Sequence, residues 1–295
     1  MALLLLVGCA QNPERTALRK ADSLIDQGQI RASLEVVENY LHQHPDSEPM
    51  LRMRVAVLLR AERLDLAVIA LRQIPAGTLV LSQLLHHRDR VVRANAAKLI
   101  AEEPAKCDFR ELADALDDAD PVVRRYCSRA LGRIKNPDAV KPLFRLLGDD
   151  NWSVRAEAVE ALGKIGDPRA AGWLIQLLSD ADGYVGYSAA AALYELTTES
   201  TRPLLLRALG SADAKQRLGV AAALAKLHDP AALDTLGNAA GDKDADVRRR
   251  VAQALGECGQ LAATNTLTML IGDADPVVRK QATEALQRVT AKIPR

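Results

Sequence analysis

Apolar side chains recur along most of this chain at spacings of three and four, the mark of helices with one buried face. The helices recur in turn. Leu81, Leu112, Leu143, Leu174, Leu205, Leu236 and Leu267 stand 31 residues apart. A second column, Ile100, Leu131, Leu162, Leu193, Leu224, Leu255 and Leu286, keeps the same step. Seven registers without insertion or deletion define an internal repeat. In the unit Asn136 to Ile165, Leu143, Leu146 and Leu147 form the stripe of a first helix. Val154, Ala158, Ala161, Leu162 and Ile165 form that of a second.

Polar residues punctuate each unit on the same period. Asp89, Asp120, Asn151, Asp182, Asp213, Asp244 and Asp275 precede the second stripe, where a short side-chain oxygen can accept from the exposed amides of a helix start. Pro121 and Pro276 follow two of them, at the first-turn position that tolerates proline. Four residues after each acidic rung comes an arginine: Arg93, Arg124, Arg155, Arg217, Arg248 and Arg279, interrupted only by Gly186. Gly148, Gly210, Gly241 and Gly272 sit where the first helix should end, a place that favours a left-handed glycine. An alanine column (Ala130, Ala161, Ala192, Ala223, Ala254, Ala285) predicts close helix approach. Asp is expected to cap its helix, with the ladder Arg bridging to it in the neighbouring unit. A cap contributes about 1 kcal/mol and an exposed ion pair about 0–1 kcal/mol. The leucine columns should therefore dominate stability.

Each unit is a helical hairpin with too little core to stand alone, so neighbours must stack. The motifs Asp-Pro-Val-Val-Arg (120–124 and 275–279) and Ala-Leu-Gly-x-Ile (130–134 and 161–165) resemble the HEAT-repeat family, in its short form also found in phycobilin lyases. The resemblance covers 77–293 and implies an all-α fold, an α-solenoid of seven such hairpins. About four further helices are expected ahead of it. Leu24 and Leu58, Ile30 and Leu64, Leu34 and Val68, and Val37 and Leu71 are each 34 residues apart, so 10–76 resembles a pair of degenerate tetratricopeptide units. Gly28 marks the turn of the first and Glu62 stands in its place in the second. The expected organisation is 1–9, 10–76 and 77–295.

The opening run Met1–Ala10 is apolar and too short to span a bilayer. Leu6-Val7-Gly8-Cys9 resembles a bacterial lipobox, which implies cleavage before Cys9, acylation of its sulfur and a lipid-anchored place in the cell envelope, facing the periplasm from the outer membrane. The leader lacks the basic start and longer apolar stretch of a full signal peptide, and a cytoplasmic address is the alternative.

Composition narrows the chemistry. Lys and Arg number 39 against 38 Asp and Glu, a balance unlike that of a general nucleic-acid binder. Aromatic residues are 3% of the chain, so the core must be aliphatic. The sequence holds no Gly-rich phosphate loop, nucleophile elbow or His-Glu-x-x-His motif, and Cys107, Cys127 and Cys258 share no metal-ligand spacing. No cofactor, metal or catalytic residue is therefore expected. Seven of the nine aromatics lie between 126 and 194. Positions one, five and nine past the arginine rung share a face that tends to line the concave groove of HEAT arrays. Arg125, Arg129, Arg133 and Tyr187 fall on that face and, with the adjacent aromatic Tyr126, are nominated as anchors for a protein partner, since Arg and aromatic side chains concentrate binding energy. The expected function is a non-enzymatic interaction scaffold. A bilin-lyase-like enzyme or chaperone, or a nucleic-acid-binding HEAT protein, is the alternative.

Overall fold

A computed structural model describes residues 12–74, 77–104 and 107–291 of the chain, and those residues contain helices and no strand. Cys9 and its lipobox lie outside them. The chain divides after Ile134 into two compact units.

The first unit opens with four helices, α1 (Pro13–Asp26), α2 (Ile30–Gln43), α3 (Glu48–Arg60) and α4 (Leu64–Arg72). Asn12 caps α1 through its side chain and Ser47 caps α3. Gly28 turns the first pair at φ +73°, and Glu62 turns the second at φ 58°. The 34-residue register therefore preserves the turn after its glycine has gone. Two 31-residue hairpins follow: α5 (Gly77–Leu84) with α6 (Arg90–Glu102), and α7 (Phe109–Asp114) with α8 (Pro121–Ile134). Helix α3 rests on α6, where Asn95 Nδ2 donates to the Leu59 carbonyl and Arg60 pairs with Asp89 at 2.7 Å.

The second unit holds five hairpins. They are α9 (Val140–Arg145) with α10 (Trp152–Ile165), α11 (Ala171–Leu177) with α12 (Gly183–Leu196), α13 (Arg202–Ala208) with α14 (Ala214–Lys226), α15 (Pro230–Ala239) with α16 (Ala245–Cys258), and α17 (Thr264–Ile271) with α18 (Pro276–Ala291). In both units the second helices stack on one another, α6 on α8, and α10, α12, α14, α16 and α18 in series. The leucines of the first column are buried in all seven hairpins, and those of the second in all but the last, where Leu286 is partly exposed. Cys127 and Cys258 are buried among them as small apolar groups. The fold is an all-α solenoid.

The alanine column does what its size predicts. A Cβ on Gly163 would lie 2.8 Å from the Cβ of Ala192, and one on Gly256 would lie 2.7 Å from that of Ala285. Helices α10 and α16 thus each present a glycine to the alanine of the next second helix. Left-handed glycines close α10 and α16, at Gly166 and Gly259. Lys135 and His228, in the same 31-residue register, also take positive φ. The glycines at the ends of the first helices differ from expectation. Gly148, Gly210, Gly241 and Gly272 are absent from the positive-φ residues, because those helices tighten into 3-10 turns or end in αR geometry without reversing hand.

Candidate binding groove

The Asp rung caps the second helices as expected. Asp89 accepts from the Val91 amide at 2.8 Å, Asp120 from Val122 at 2.8 Å and Asp275 from Val277 at 2.7 Å. Asp213 accepts from Gln216 and Asp244 from Asp246. The arginine rung is wired differently. Each of Arg93, Arg124, Arg155, Arg217, Arg248 and Arg279 turns Nη1 back onto two carbonyls of its own hairpin turn, six and five residues earlier. Its partner across hairpins is also not the capping Asp. Arg93, Arg155 and Arg248 grip Asp118, Asp180 and Asp273, two residues ahead of the next cap, through both Nε and Nη2. Those carboxylates accept from the amide of the capping Asp as well. Asp-x-Asp therefore joins turn, cap and neighbour, and the missed signal was this second acidic column.

The electrostatics follow. Burial opposes ionisation of Asp180, yet the Arg155 fork and the Asp182 amide hold its carboxyl below the usual range. The Arg248 hydrogen bond lowers Asp273 against a smaller effect of burial. Each guanidinium in turn is held more firmly protonated by the hydrogen bond to its Asp. This ladder is structural throughout.

The anchors nominated from sequence fall into two places. Arg125, Tyr126, Arg129 and Arg133 belong to α8 in the first unit, and Tyr187 to α12 in the second. Arg125 and Arg129 flank the ring of Tyr126, with guanidinium carbons 4.8 and 5.3 Å from its centroid. Arg133 Nη1 donates to the carbonyls of Ala101 and Glu102, at the end of α6. Lys226 repeats that bond in the second unit, its Nζ reaching the Tyr194 carbonyl at 2.7 Å. At Arg133 and Lys226, therefore, position nine past the rung carries a cation that offsets the carbonyl end of the preceding second helix. Arg133 is a helix cap before it is an anchor.

Tyr187, by contrast, is 57% exposed and lies in a groove of about 770 Å³. The walls come from α12, α14, α15 and α16, and the floor is made of small residues including Ala190, Ala191, Gly219 and Ala222. Two local features open it. At Gly186 the hairpin lacks the arginine that elsewhere folds over the turn, and a Cβ there would sit 3.1 Å from the Leu178 carbonyl oxygen. At Gly219 the missing Cβ makes room for Leu178, whose Cδ2 would lie 2.6 Å away.

Charge in the groove departs from the basic face expected. Its lining holds six carboxylates (Asp180, Asp242, Asp244, Asp246, Glu195, Glu257) and three cations (Lys215, Arg217, Arg250). Arg217 is occupied by the Ser211 and Ala212 carbonyls, and Arg250 by Asp246 at 3.1 Å. Asp246 is drawn below the usual carboxylate range, first by its Arg249 hydrogen bond. Tyr194 is partly buried beside the carboxylate end, where burial, then Glu257 and Glu195, raise its phenol. Lys226 stands over its ring at 4.8 Å. Among the described residues, no group of three or more His, Cys, Asp or Glu could hold a metal ion, and no helix is long and apolar enough to cross a membrane.

Comparison with known proteins places this geometry. The sequence profile of HEAT repeats matches residues 109–194 and 201–287. A chain from the complex of Kap95p with RanGDP superposes with a TM-score of 0.60 at 12% identity, over 95% of this chain and 43% of its own length. The archaeal HEAT-like repeats protein from Thermococcus onnurineus matches at 15% identity and a TM-score of 0.46, covering 81% of this chain and 97% of that one. The complex of CpcE and CpcF of phycocyanin lyase from a Nostoc species matches at 22% identity and a TM-score of 0.43, covering 73% and 94%. No curated protein matches the chain.

Proposed function

Since the chain belongs to the HEAT-repeat family, we propose that it is a non-enzymatic scaffold that holds a segment of a protein partner along the second helices of its second unit. The supporting observation is the groove beside Tyr187. It joins a floor of small residues, which lets a backbone approach closely, to an exposed aromatic side chain of the kind enriched in binding hot spots. The ordinary charges of the ladder are satisfied internally, so the groove side chains are what the surface offers an outside partner.

The test is positional. A photo-crosslinking residue at Ala191, on the groove floor, should give a discrete protein adduct in the native cell. The same residue at Met269, 56% exposed on the first-helix side of the last hairpin, should give none. Equal labelling from both sites, or none from Ala191, would overturn the scaffold role assigned to the groove.

We further propose that Cys9 is acylated and ties the scaffold to a bacterial envelope, on the strength of Leu6-Val7-Gly8-Cys9. Expressed from its own locus, the protein should incorporate a labelled fatty acid and partition into detergent, and Cys9→Ser should do neither. Equal partitioning of the two would overturn the anchor.

A further inference from the structure

We propose that the groove of the second unit takes a basic, extended polypeptide segment, with one Lys or Arg side chain laid against Tyr187 and another drawn toward Glu195 and Glu257. The inference rests on the groove proposed above and adds the chemistry of its occupant.

Three observations converge. Helix α12 carries Tyr187, Ala191, Tyr194 and Glu195 at spacings of four, seven and eight residues, which places them along one face. Tyr187 keeps most of its ring in solvent, free to accept a cation on its face. The charge at the far end of that face is negative and available. Among the described residues, Glu195 makes no ion pair through its carboxylate, and Glu257 accepts only the Gln253 amide, at 3.0 Å. Both lie at the carboxyl ends of their helices, α12 and α16, and at α16 the helix dipole adds to the negative potential.

Lys226, bound to the Tyr194 and Glu195 carbonyls, offsets part of this charge, and Arg250 is paired with Asp246, but the lining itself still holds six carboxylates against three cations. Lys215 lies at the opposite end of the groove, where it acts on Asp180 and Asp213. A neutral or acidic segment would leave the two glutamates uncompensated as the groove dried. A basic one would pair them, and the alanine floor would admit its backbone.

Binding of a fluorescein-labelled peptide alternating Lys and Ala tests this on the full chain, against peptides of equal length with Gln or Glu in place of Lys. The Lys peptide should bind, weaken steeply as salt rises, and be weakened by about tenfold or more in the double variant Glu195→Gln with Glu257→Gln. Tyr187→Ala should also weaken it, whereas Arg129→Ala in the first unit should not. Unchanged helicity of the variants excludes misfolding as the cause. Equal binding of the Gln peptide, or binding indifferent to both glutamates, overturns the inference. If so, a crosslink from Ala191 would still support the scaffold. Absence of that crosslink alongside a glutamate-dependent peptide would instead fault the scaffold role and leave the basic-segment site standing.

Discussion

Arg155 makes four side-chain hydrogen bonds at once, two to Asp180 and one each to the Asp149 and Asp150 carbonyls. Both members of the pair are largely withdrawn from water, with side-chain exposures of 16% and 8%. That arrangement changes the energetic ranking expected from sequence. Leu162→Ala, at a fully buried position, should cost about 2–5 kcal/mol. Removing Arg155 would strand the Asp180 carboxylate and two carbonyls, so Arg155→Ala should cost about 2–4 kcal/mol, not the small amount of an exposed pair. Lysine cannot reproduce the fork, and Arg155→Lys should recover less than half of the loss in urea unfolding. The sign of the pH dependence follows from the same groups. Asp180 and Asp273 are held below their ordinary range in the folded chain. Their contribution is therefore complete above the unfolded value of about 4 and is lost as pH falls through the lower folded value. Stability measured from pH 6 down to pH 3 should fall more steeply for the wild type than for Arg155→Ala.

At the scale of the element, the second helices meet through glycine and alanine. Alanine is the better helix former by about 1 kcal/mol, so an isolated helix would gain from Gly163→Ala. In the stack, the new methyl group would press on Ala192, whose Cβ and Cα lie 2.8 and 3.0 Å from it. Overpacking of this kind costs about 1–3 kcal/mol, and the net effect should be destabilising. Gly148→Ala is the control, since nothing lies within 4 Å of its added Cβ and its φ is not positive, and it should leave stability unchanged or slightly raised. Chemical denaturation of the two variants reads this directly. Equal effects would mean that α10 and α12 are less closely packed than their backbones indicate. The pair also shows what was legible in the sequence. Column identity (Leu, Ala, Asp) was readable because each column answers to one local demand: a buried face, a close approach, a cap. The Arg partner was misassigned because two acidic columns stand two residues apart, and only the turn geometry decides which one faces the next hairpin. The glycines after the first helices were misjudged because 3-10 termination needs no left-handed residue, and the turns that do need one use Lys135 and His228 as well as Gly166 and Gly259.

At the scale of the molecule, each hairpin owes its core to its neighbours, so stability accumulates by nearest-neighbour contact. The candidate groove is a product of this scale, which is why the five residues nominated on α8 and α12 did not converge on it. Its position depends on where an arginine is missing, at 186, and where three second helices run side by side, α12, α14 and α16. No column of the repeat encodes that combination. The second unit contains five complete hairpins whose column leucines, Leu286 apart, are buried. A fragment comprising residues 135–295 should therefore fold alone, keep the far-ultraviolet helical signal per residue of the parent and unfold cooperatively in urea. Shortening that fragment by its last hairpin, at Gly259, would uncover the face of α16 that packs on α18, including Gly256, which now faces Ala285. The shortened fragment should lose stability by more than one hairpin's share of the whole, because an interface disappears along with the hairpin's own helices. Equal per-hairpin stability in the two fragments would show that each hairpin stands alone, and the stacked core would then have no energetic role.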